Sequence, residues 1–415
     1  MILRTRDIIE QIRQGEIPKG YIRTVSGISP TDWKRYTFGD IYTERKEPGS
    51  EELPLLMVSI HSGVSDGEVD EEDLPKKVKR IEDKSQYKKA VSGDLVFNMM
   101  RAWQGAIGTV RTTGMVSPAY IVAKPNDKVY PLFMDYYTRT PQMINQINRQ
   151  SYGVTDFRKR LYWDSFATIG CTLPPIEEQR KIAAILTTQD RVIELKEKHL
   201  AEKQRQKKYL MQQLLTGKKR LPGFNGAWKV DRLGKLFLER KETNYEGLQM
   251  LAITGAQGII PRRELDLKDN SSEDKSKYLR VCVGDIGYNT MRMWQGVSAY
   301  SNYEGVVSPA YTILKPSLSI NAKYFAYLFK MPEIISLFYR FSQGLVDDTR
   351  NLKYENFKKI KVFYPPDIEE QTAIAEVLSA ADREIDLLRQ DIEQEKQKKK
   401  ALMQLLLTGI VRVNA

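Results

Sequence analysis

The feature that most constrains this chain is that it is written twice. Gly93-Asp94-Leu95-Val96-Phe97-Asn98 returns as Gly284-Asp285-Ile286-Gly287-Tyr288-Asn289, at a spacing of 191 residues. At the same spacing Met100-Arg101-Ala102-Trp103-Gln104-Gly105 returns as Met291-Arg292-Met293-Trp294-Gln295-Gly296, and Val116-Ser117-Pro118-Ala119-Tyr120 as Val307-Ser308-Pro309-Ala310-Tyr311. Upstream, Glu44-Arg45-Lys46 matches Glu239-Arg240-Lys241 at 195. Downstream, Glu177-Glu178-Gln179 matches Glu369-Glu370-Gln371, and Leu214-Leu215-Thr216-Gly217 matches Leu406-Leu407-Thr408-Gly409, both at 192. Chance does not hold a register along half a chain, so the protein is an internal duplication. A mechanism shared by both copies has to use residues that both retain.

Each copy has two parts. Residues 30–173 and 226–364 mix short β-rich runs with Gly and Pro punctuation. The runs 55–60, 94–97 and 119–123 read as strands, and 132–137, repeated at 324–329, as a helix. An α+β domain is expected, with a strand order the pattern does not give. Residues 174–225 and 365–415 read as long helices. Pro174-Pro175 and Pro365-Pro366 stand where a helix start tolerates proline. Glu177, Glu178, Glu369 and Glu370 put negative charge at the positive end of the dipole, and Gly217 and Gly409 supply a left-handed terminus.

Between these ends, steps of four and three pick out a seam. In the first copy it runs Ile182, Leu186, Gln189, Ile193, Lys196, Leu200, Lys203, Lys207, Leu210, Leu214. In the second it runs Ile374, Leu378, Ala381, Ile385, Leu388, Ile392, Glu395, Lys399, Leu402, Leu406. Heptad spacing predicts that the two helices pair as an antiparallel coiled coil between two globular domains. About forty residues at 1.5 Å rise give a rod of roughly 60 Å. The alternative is that each helix packs on its own globular domain. Against it, residues 196–208 carry too few apolar side chains for a broad buried stripe. The run Ile8-Ile9-Glu10-Gln11-Ile12-Arg13-Gln14-Gly15, then Pro18 and Trp33, echoes Leu214–Gly217, Pro222 and Trp228. Residues 1–29 are therefore expected near the C-terminal end, closing a pseudo-twofold arrangement.

At 415 residues the chain can bury more than one core, and a net charge of +12 favours polyanionic partners. It has no apolar run long enough for a membrane span, and its first residues turn charged too soon for a signal peptide. Cys171 and Cys282 stand in no metal-like spacing and read as buried thiols in a reducing cytoplasm. The duplication tests catalysis directly: His61 maps onto Ala256 and His199 onto Asp391, so no histidine mechanism is common to both copies. No phosphate loop, zinc ligand set or nucleophile elbow occurs. The diprolines lack the amide and aromatic residue of a methyltransferase N-P-P-Y/F motif. Glu44-x-Lys46 and Glu239-x-Lys241 read as surface ion pairs rather than nuclease carboxylates. The chain is expected to have no active site and no metal.

Two α+β domains, each followed by a diproline, Glu-Gln and a long helix ending in Leu-Leu-Thr-Gly, resemble the specificity (S, HsdS) subunit of type I restriction–modification systems. The resemblance is carried by Leu173-Pro174-Pro175-Ile176-Glu177-Glu178-Gln179-Arg180-Lys181-Ile182-Ala183 and covers essentially the whole chain; Asp367 is an insertion in the second copy. It implies a non-catalytic, cytoplasmic subunit with two target-recognition domains, each reading half of a bipartite, asymmetric site in double-stranded DNA. The helices would set the spacing and dock two modification (methyltransferase) subunits, which bind S-adenosylmethionine, and restriction (translocase–nuclease) subunits join them. Roughly 60 Å of helix spans a little under twenty base pairs, enough for two half-sites and a gap. Other readings are a self-sufficient methyltransferase or nuclease, a coiled-coil adaptor whose domains bind protein, and a specificity subunit of another defence system.

Shared residues should be scaffold or backbone contact, and diverged ones should read bases. Arg101, Gln104 and Gly105, with Arg292, Gln295 and Gly296, offer a cation and an amide on a glycine turn. In the competing reading Trp103 and Trp294 are core and the arginines cap the turn. Residues 149–160 and 340–351 share Gly153/Gly344 and Asp156/Asp347 but differ at Tyr152/Gln343 and Arg158/Thr349. Here Tyr152, Arg158, Lys159, Arg160, Gln343, Arg350 and Asn351 are candidates for base readout, with Arg158 suited to guanine and Gln343 to adenine. His61 and the diverged stretches 61–80 and 256–277 complete the set.

Overall fold

The computed structural model describes residues 5–24, 27–60, 63–65, 84–155, 158–245, 247–255, 258–265 and 275–413. The chain divides into two compact units, Met1–Leu195 with Ile392–Ala415, and Lys196–Asp391. Each holds a four-stranded antiparallel sheet. In the first unit its order is Tyr42–Glu44, Tyr120–Pro125, Leu95–Asn98, Ile107–Thr109. In the second it is Phe237–Arg240, Tyr311–Pro316, Ile286–Asn289, Ser298–Tyr300, the same topology. Side chains alternate across the central strand. Leu95 and Phe97 join the main core with Phe133, Met143 and Phe166, whereas Val96 joins a smaller cluster with Leu56, Val116 and Val122. Both faces of the sheet are thereby buried.

Strands at 94–97 and 119–123 and helices at 132–137 and 324–329 are found within a few residues of where the pattern puts them. The run 55–60 is different. Only Val58–Ser59 is a strand there, because Leu55 meets Met115 through a single bridge and Leu56 is spent on the smaller core. Its counterpart Leu251–Thr254 forms a full hairpin with Gly258–Pro261.

Two of the repeated motifs are bound to each other. The middle residue of Glu-Arg-Lys is the one that matters: Arg45 Nε donates to Asp94 Oδ2 at 2.7 Å and Nη2 to Oδ1 at 3.1 Å. Arg240 and Asp285 repeat both bonds at 2.7 and 3.1 Å. Each aspartate also accepts from a backbone N–H, of Val91 or Cys282, at 2.8 Å. Both are 2% exposed, so the pair is a buried, fully bonded fork. The flanking Glu44–Lys46 and Glu239–Lys241 pairs, at 3.2 and 2.9 Å with exposed lysines, are surface ion pairs.

The diproline motif is explained by its glutamine and second glutamate. Gln179 Nε2 donates to the carbonyls of Pro174 at 2.9 Å and Lys128 at 3.0 Å, while Oε1 accepts from the Tyr130 N–H at 2.8 Å. Gln371 donates to the Pro365 carbonyl at 2.8 Å and accepts from the Asn321 N–H at 2.8 Å. Glu178 accepts twice from Arg412 at 2.9 Å, and Glu370 from Arg220 at 2.6 and 2.7 Å. Arg220 and Arg412 follow the Leu-Leu-Thr-Gly ends, so the start of one long helix is clamped to the segment after the other. Gly217 and Gly409 take φ of 71° and 72°; a Cβ would press on Trp228 at 3.3 Å in the first and strike Pro30 at 2.5 Å and Trp33 at 2.9 Å in the second. Tyr21 and Asp32 lie against that second end, Tyr21 donating to the Gly409 carbonyl at 3.0 Å and Asp32 accepting from Arg412.

The long helices, Ile176–Leu214 and Ile368–Leu406, are continuous and pair antiparallel. In the first unit Gln189 donates to Glu395 at 2.7 Å and Lys399 meets Asp190 at 2.5 Å. In the second Lys196 meets Asp391, Lys203 meets Glu384 and Lys207 meets Asp382, residue numbers falling on one helix as they rise on the other. Every residue of the expected seam is buried or half-buried. The polar seam positions are the ones that cross-pair, which fixes register where apolar residues run out. The helix ends also pack on the globular cores. Ile182, Ala183 and Leu186 join the first together with Leu406 and Leu407, and Ile374, Ala375 and Leu378 the second with Leu214 and Leu215. Pairing and domain packing are thus two stretches of one seam.

Replacing Asp285 by Ala leaves the Arg240 guanidinium buried beside Glu242 alone and should cost about 3–5 kcal/mol. Leu378→Ala should cost about 2–5 kcal/mol. Lys241→Ala, at the surface pair of the same motif, should leave the urea midpoint nearly unmoved; a midpoint shift matching that of Asp285→Ala would contradict this division of roles.

Candidate nucleic-acid interface

The Met-Arg-x-Trp-Gln-Gly repeat is a rigid turn at the end of a central strand. Asn98 Oδ1 accepts from the Met100 N–H at 2.9 Å, and Asn289 from Met291 at 3.0 Å. One 3-10 turn follows, Ala102–Gln104 or Met293–Gln295, closed by Gly105 at φ 106° or Gly296 at φ 80°. Those left-handed angles are what glycine is needed for. The half-buried tryptophans donate Nε1–H back to the Met100 and Met291 carbonyls at 3.0 and 2.9 Å. The tryptophans therefore belong to the scaffold. Arg101 and Arg292 make no side-chain cap. With Gln104 and Gln295 they are exposed, and among the described residues their side chains form no hydrogen bond or ion pair.

A loop adjoins each turn. Tyr152 and Arg160 exchange backbone hydrogen bonds at 3.1 and 3.0 Å, and Gln343 and Asn351 at 2.8 and 2.7 Å, closing the two loops in the same way. Lys159 and Arg350 occupy equivalent positions and pin the loop down. Lys159 Nζ lies 5.3 Å from the Trp103 ring and donates to Asn148 Oδ1 at 3.2 Å. The Arg350 guanidinium sits 4.0 Å over Tyr339 and donates to its hydroxyl at 3.0 Å, and that ring meets Trp294 at 6.0 Å. Turn and loop thus form one continuous surface in each unit. Arg158, Arg160 and Gln343 project from it exposed, and Tyr152 is 59% exposed beside Tyr162. Asn351 is half-buried and donates to the Thr349 carbonyl. His61 and Asp156 lie outside the described residues, as do most of 61–80 and half of 256–277.

The family model for the type I restriction modification DNA specificity domain matches this chain twice, over residues 74–205 and 264–397. The chain belongs to that family. Each match takes in one exposed turn, one pinned loop and the first part of one long helix. Among curated relatives, the putative type I restriction enzyme MjaX specificity subunit of Methanocaldococcus jannaschii is 26% identical over 71% of each chain. The MjaVIII specificity subunit of the same organism is 24% identical over 92% of this chain and 94% of its own. Of solved structures, the HsdS subunit from Thermoanaerobacter tengcongensis aligns over 92% of this chain and 98% of its own, with TM-score 0.51 and 20% identity. The S subunit from M. genitalium aligns over 90% and 96%, with TM-score 0.53 and 13% identity. A chain from work on assembly and conformational transition of the type I R-M system gives TM-score 0.54 at 18% identity, over 92% and 99%. These structural likenesses establish the fold.

Within this specificity-family framework the chain's other reactive groups have ordinary surroundings. His199 is exposed, 3.9 Å from Glu202. Burial pushes the Cys171 thiol up to about 12, and Cys282 is half-buried rather than core, its thiol also raised by burial. Among the described residues no cluster of His, Cys, Asp and Glu could hold a metal, and no helix is long and apolar enough to cross a membrane. Sequence reasoning passed over Asn98, Asn289 and Tyr339. The two asparagines are visible as identical residues ending a repeated strand; Tyr339 is unmarked because its counterpart is the dissimilar Asn148.

Gly344 takes φ of 137°, and a Cβ there would lie 2.7 Å from the Arg350 backbone. Gly344→Val should therefore open the 343–351 loop. Hydrogen exchange should show lost protection at Gln343 and Asn351 with the core amides unchanged; intact protection in the loop would contradict the geometry.

Proposed function

We propose that this chain is the DNA-reading subunit of a type I restriction–modification complex, each unit contacting one half of a bipartite, asymmetric site. The observation that carries this is the repeated exposed Arg–Gln turn beside a loop whose frame is shared and whose projecting residues differ. A rigid common element suits the phosphate backbone, which is the same everywhere. Diverged side chains on a common frame suit base edges. Arg101 and Arg292 grip phosphate, with Gln104 and Gln295 on an adjacent phosphate or base edge. Arg158 reads a guanine and Gln343 an adenine; Lys159 and Arg350 hold the loops in place as they do so. The net charge of +12 supports the sequence-independent part of binding.

The paired long helices set the spacing between half-sites and dock two methyltransferase subunits, with restriction subunits joining them in the cytoplasm. S-adenosylmethionine binds to the methyltransferase subunits, and this chain supplies no catalytic step. Support for that division comes from family membership and from the structural use found for the Glu-Arg-Lys and diproline motifs, the two that most resembled catalytic ones.

Methylome sequencing of host DNA with and without this chain tests the proposal. A bipartite methylated motif should vanish on deletion, and exchange of residues 30–173 should alter one half only; a motif that persists without the chain would sink the reading. In binding assays Arg101→Ala should weaken all duplexes alike and lower the salt slope by about 1. Arg158→Ala should cost about 1–3 kcal/mol on the cognate half-site and relax one position. Equal loss on every sequence would reassign Arg158 to the backbone.

A further inference from the structure

At one buried place the two units differ in charge. In the first, Asp135 is 4% exposed, and its Oδ1 accepts from the backbone N–H of Thr109 at 2.9 Å. Its Oδ2 receives Arg139 Nη2 at 3.2 Å, with Arg111 Nη2 at 3.8 Å. In the second unit Ala326 stands at the position of Asp135, Lys330 at that of Arg139, Asn302 at that of Arg111 and Ser298 at that of Ile107. The carboxylate is gone while a cation stays. A cleft of about 550 Å³ lies there, lined by Lys330, Ser298, Tyr300, Asn302, Lys323 and Ala326 among others.

The polar groups of this cleft are incompletely matched. Lys330 Nζ donates to the carbonyls of Gly296 at 2.8 Å and Ser298 at 2.5 Å, which leaves its third N–H. Ser298 is 1% exposed, and its Oγ has no hydrogen-bond partner among the described residues. Around the cleft Lys207 pairs with Asp382 and Arg389 with Asp386. Lys323 lies over the Tyr300 ring, and among the described residues neither it nor Lys330 pairs with a carboxylate. Burial, with the Lys207 ammonium nearby, pulls Lys330 down to about 8, as expected of a desolvated cation without a counter-charge.

We propose that this cleft binds a small oxyanion, a carboxylate or a phosphate, in the role that the Asp135 carboxylate plays in the first unit. The anion accepts from Lys330 Nζ, from Ser298 Oγ and from the backbone N–H of Tyr300, the counterpart of Thr109. Asp382 and Asp386 on the wall disfavour an extended polyanion, so the ligand is compact rather than a stretch of nucleic-acid backbone.

The test is thermal melting of the full chain at constant ionic strength in chloride, acetate or inorganic phosphate. Acetate or phosphate should raise Tm along a saturating curve that chloride does not reproduce. Whichever saturates at lower concentration identifies the carboxylate or the phosphate as the source. Ala326→Asp carries its own carboxylate, as the first unit does, and should fold with Tm at or above the parent. Its half-saturation should rise by about tenfold or more, as should that of Lys330→Gln. An anion response in Ala326→Asp equal to that of the parent overturns the proposal, as does a rise in acetate and phosphate no larger than in chloride.

Discussion

A single buried side-chain amide at the start of each long helix ties together stretches of backbone that are far apart in sequence. Gln179 joins the diproline, the chain at Lys128 and the chain at Tyr130; Gln371 joins the diproline and Asn321. Both glutamines are buried, at 1% and 0% exposure, so each unmade bond would leave a desolvated peptide group. The neighbouring glutamate adds the clamp to Arg412 or Arg220. The direction in which each helix leaves its domain is therefore fixed by polar geometry, with the apolar seam packing onto a course already set. Everything that depends on helix direction, including antiparallel pairing, inherits that constraint.

Much of this was legible in the sequence because duplication is a controlled comparison. Several residues identical in both copies are structural: Arg45/Arg240 with Asp94/Asp285, Gln179/Gln371, and the tryptophan of each turn. The seam was readable from its steps of four and three, down to the polar positions that cross-pair. Three things were not readable. Strand order depends on which short segments meet in space, and runs of three or four residues carry no address. The second glutamate's partner lies more than a hundred residues away. The replacement of Asp135 by Ala326 is silent in the sequence, because a loss leaves no motif behind. The loop residues Lys159 and Arg350 were visible as cations, but only the packed rings beneath them show that they hold the loop rather than project from it.

The candidate interface divides its labour between stiff and variable parts. The turn is held by an asparagine, a tryptophan and a left-handed glycine, all intrachain, so its arginine and glutamine are presented without spending their own donors on the fold. The loop is closed by two backbone hydrogen bonds and pinned by one stacked cation, and on that frame exposed side chains such as Arg158 and Gln343 differ between units. A frame of this kind tolerates substitution at Arg158 far better than at Gly153 or Gly344, where a Cβ would lie 2.4 or 2.7 Å from backbone atoms. Readers built this way can change what they recognise without changing how they fold.

The unit Lys196–Asp391 is one uninterrupted stretch, whereas the other is assembled from both ends of the chain. Leu406 and Leu407 belong to a core whose other buried residues lie between positions 38 and 186. On a ribosome the earlier of these two units is thus finished after the later one. The sheet and helices of the earlier unit wait with one wall of the core open until Leu406 and Leu407 emerge, while the unit Lys196–Asp391 can close ahead of it. During that interval the unfinished wall is apolar and accessible, so the speed of synthesis over the second half sets how long the first half remains exposed to wrong partners.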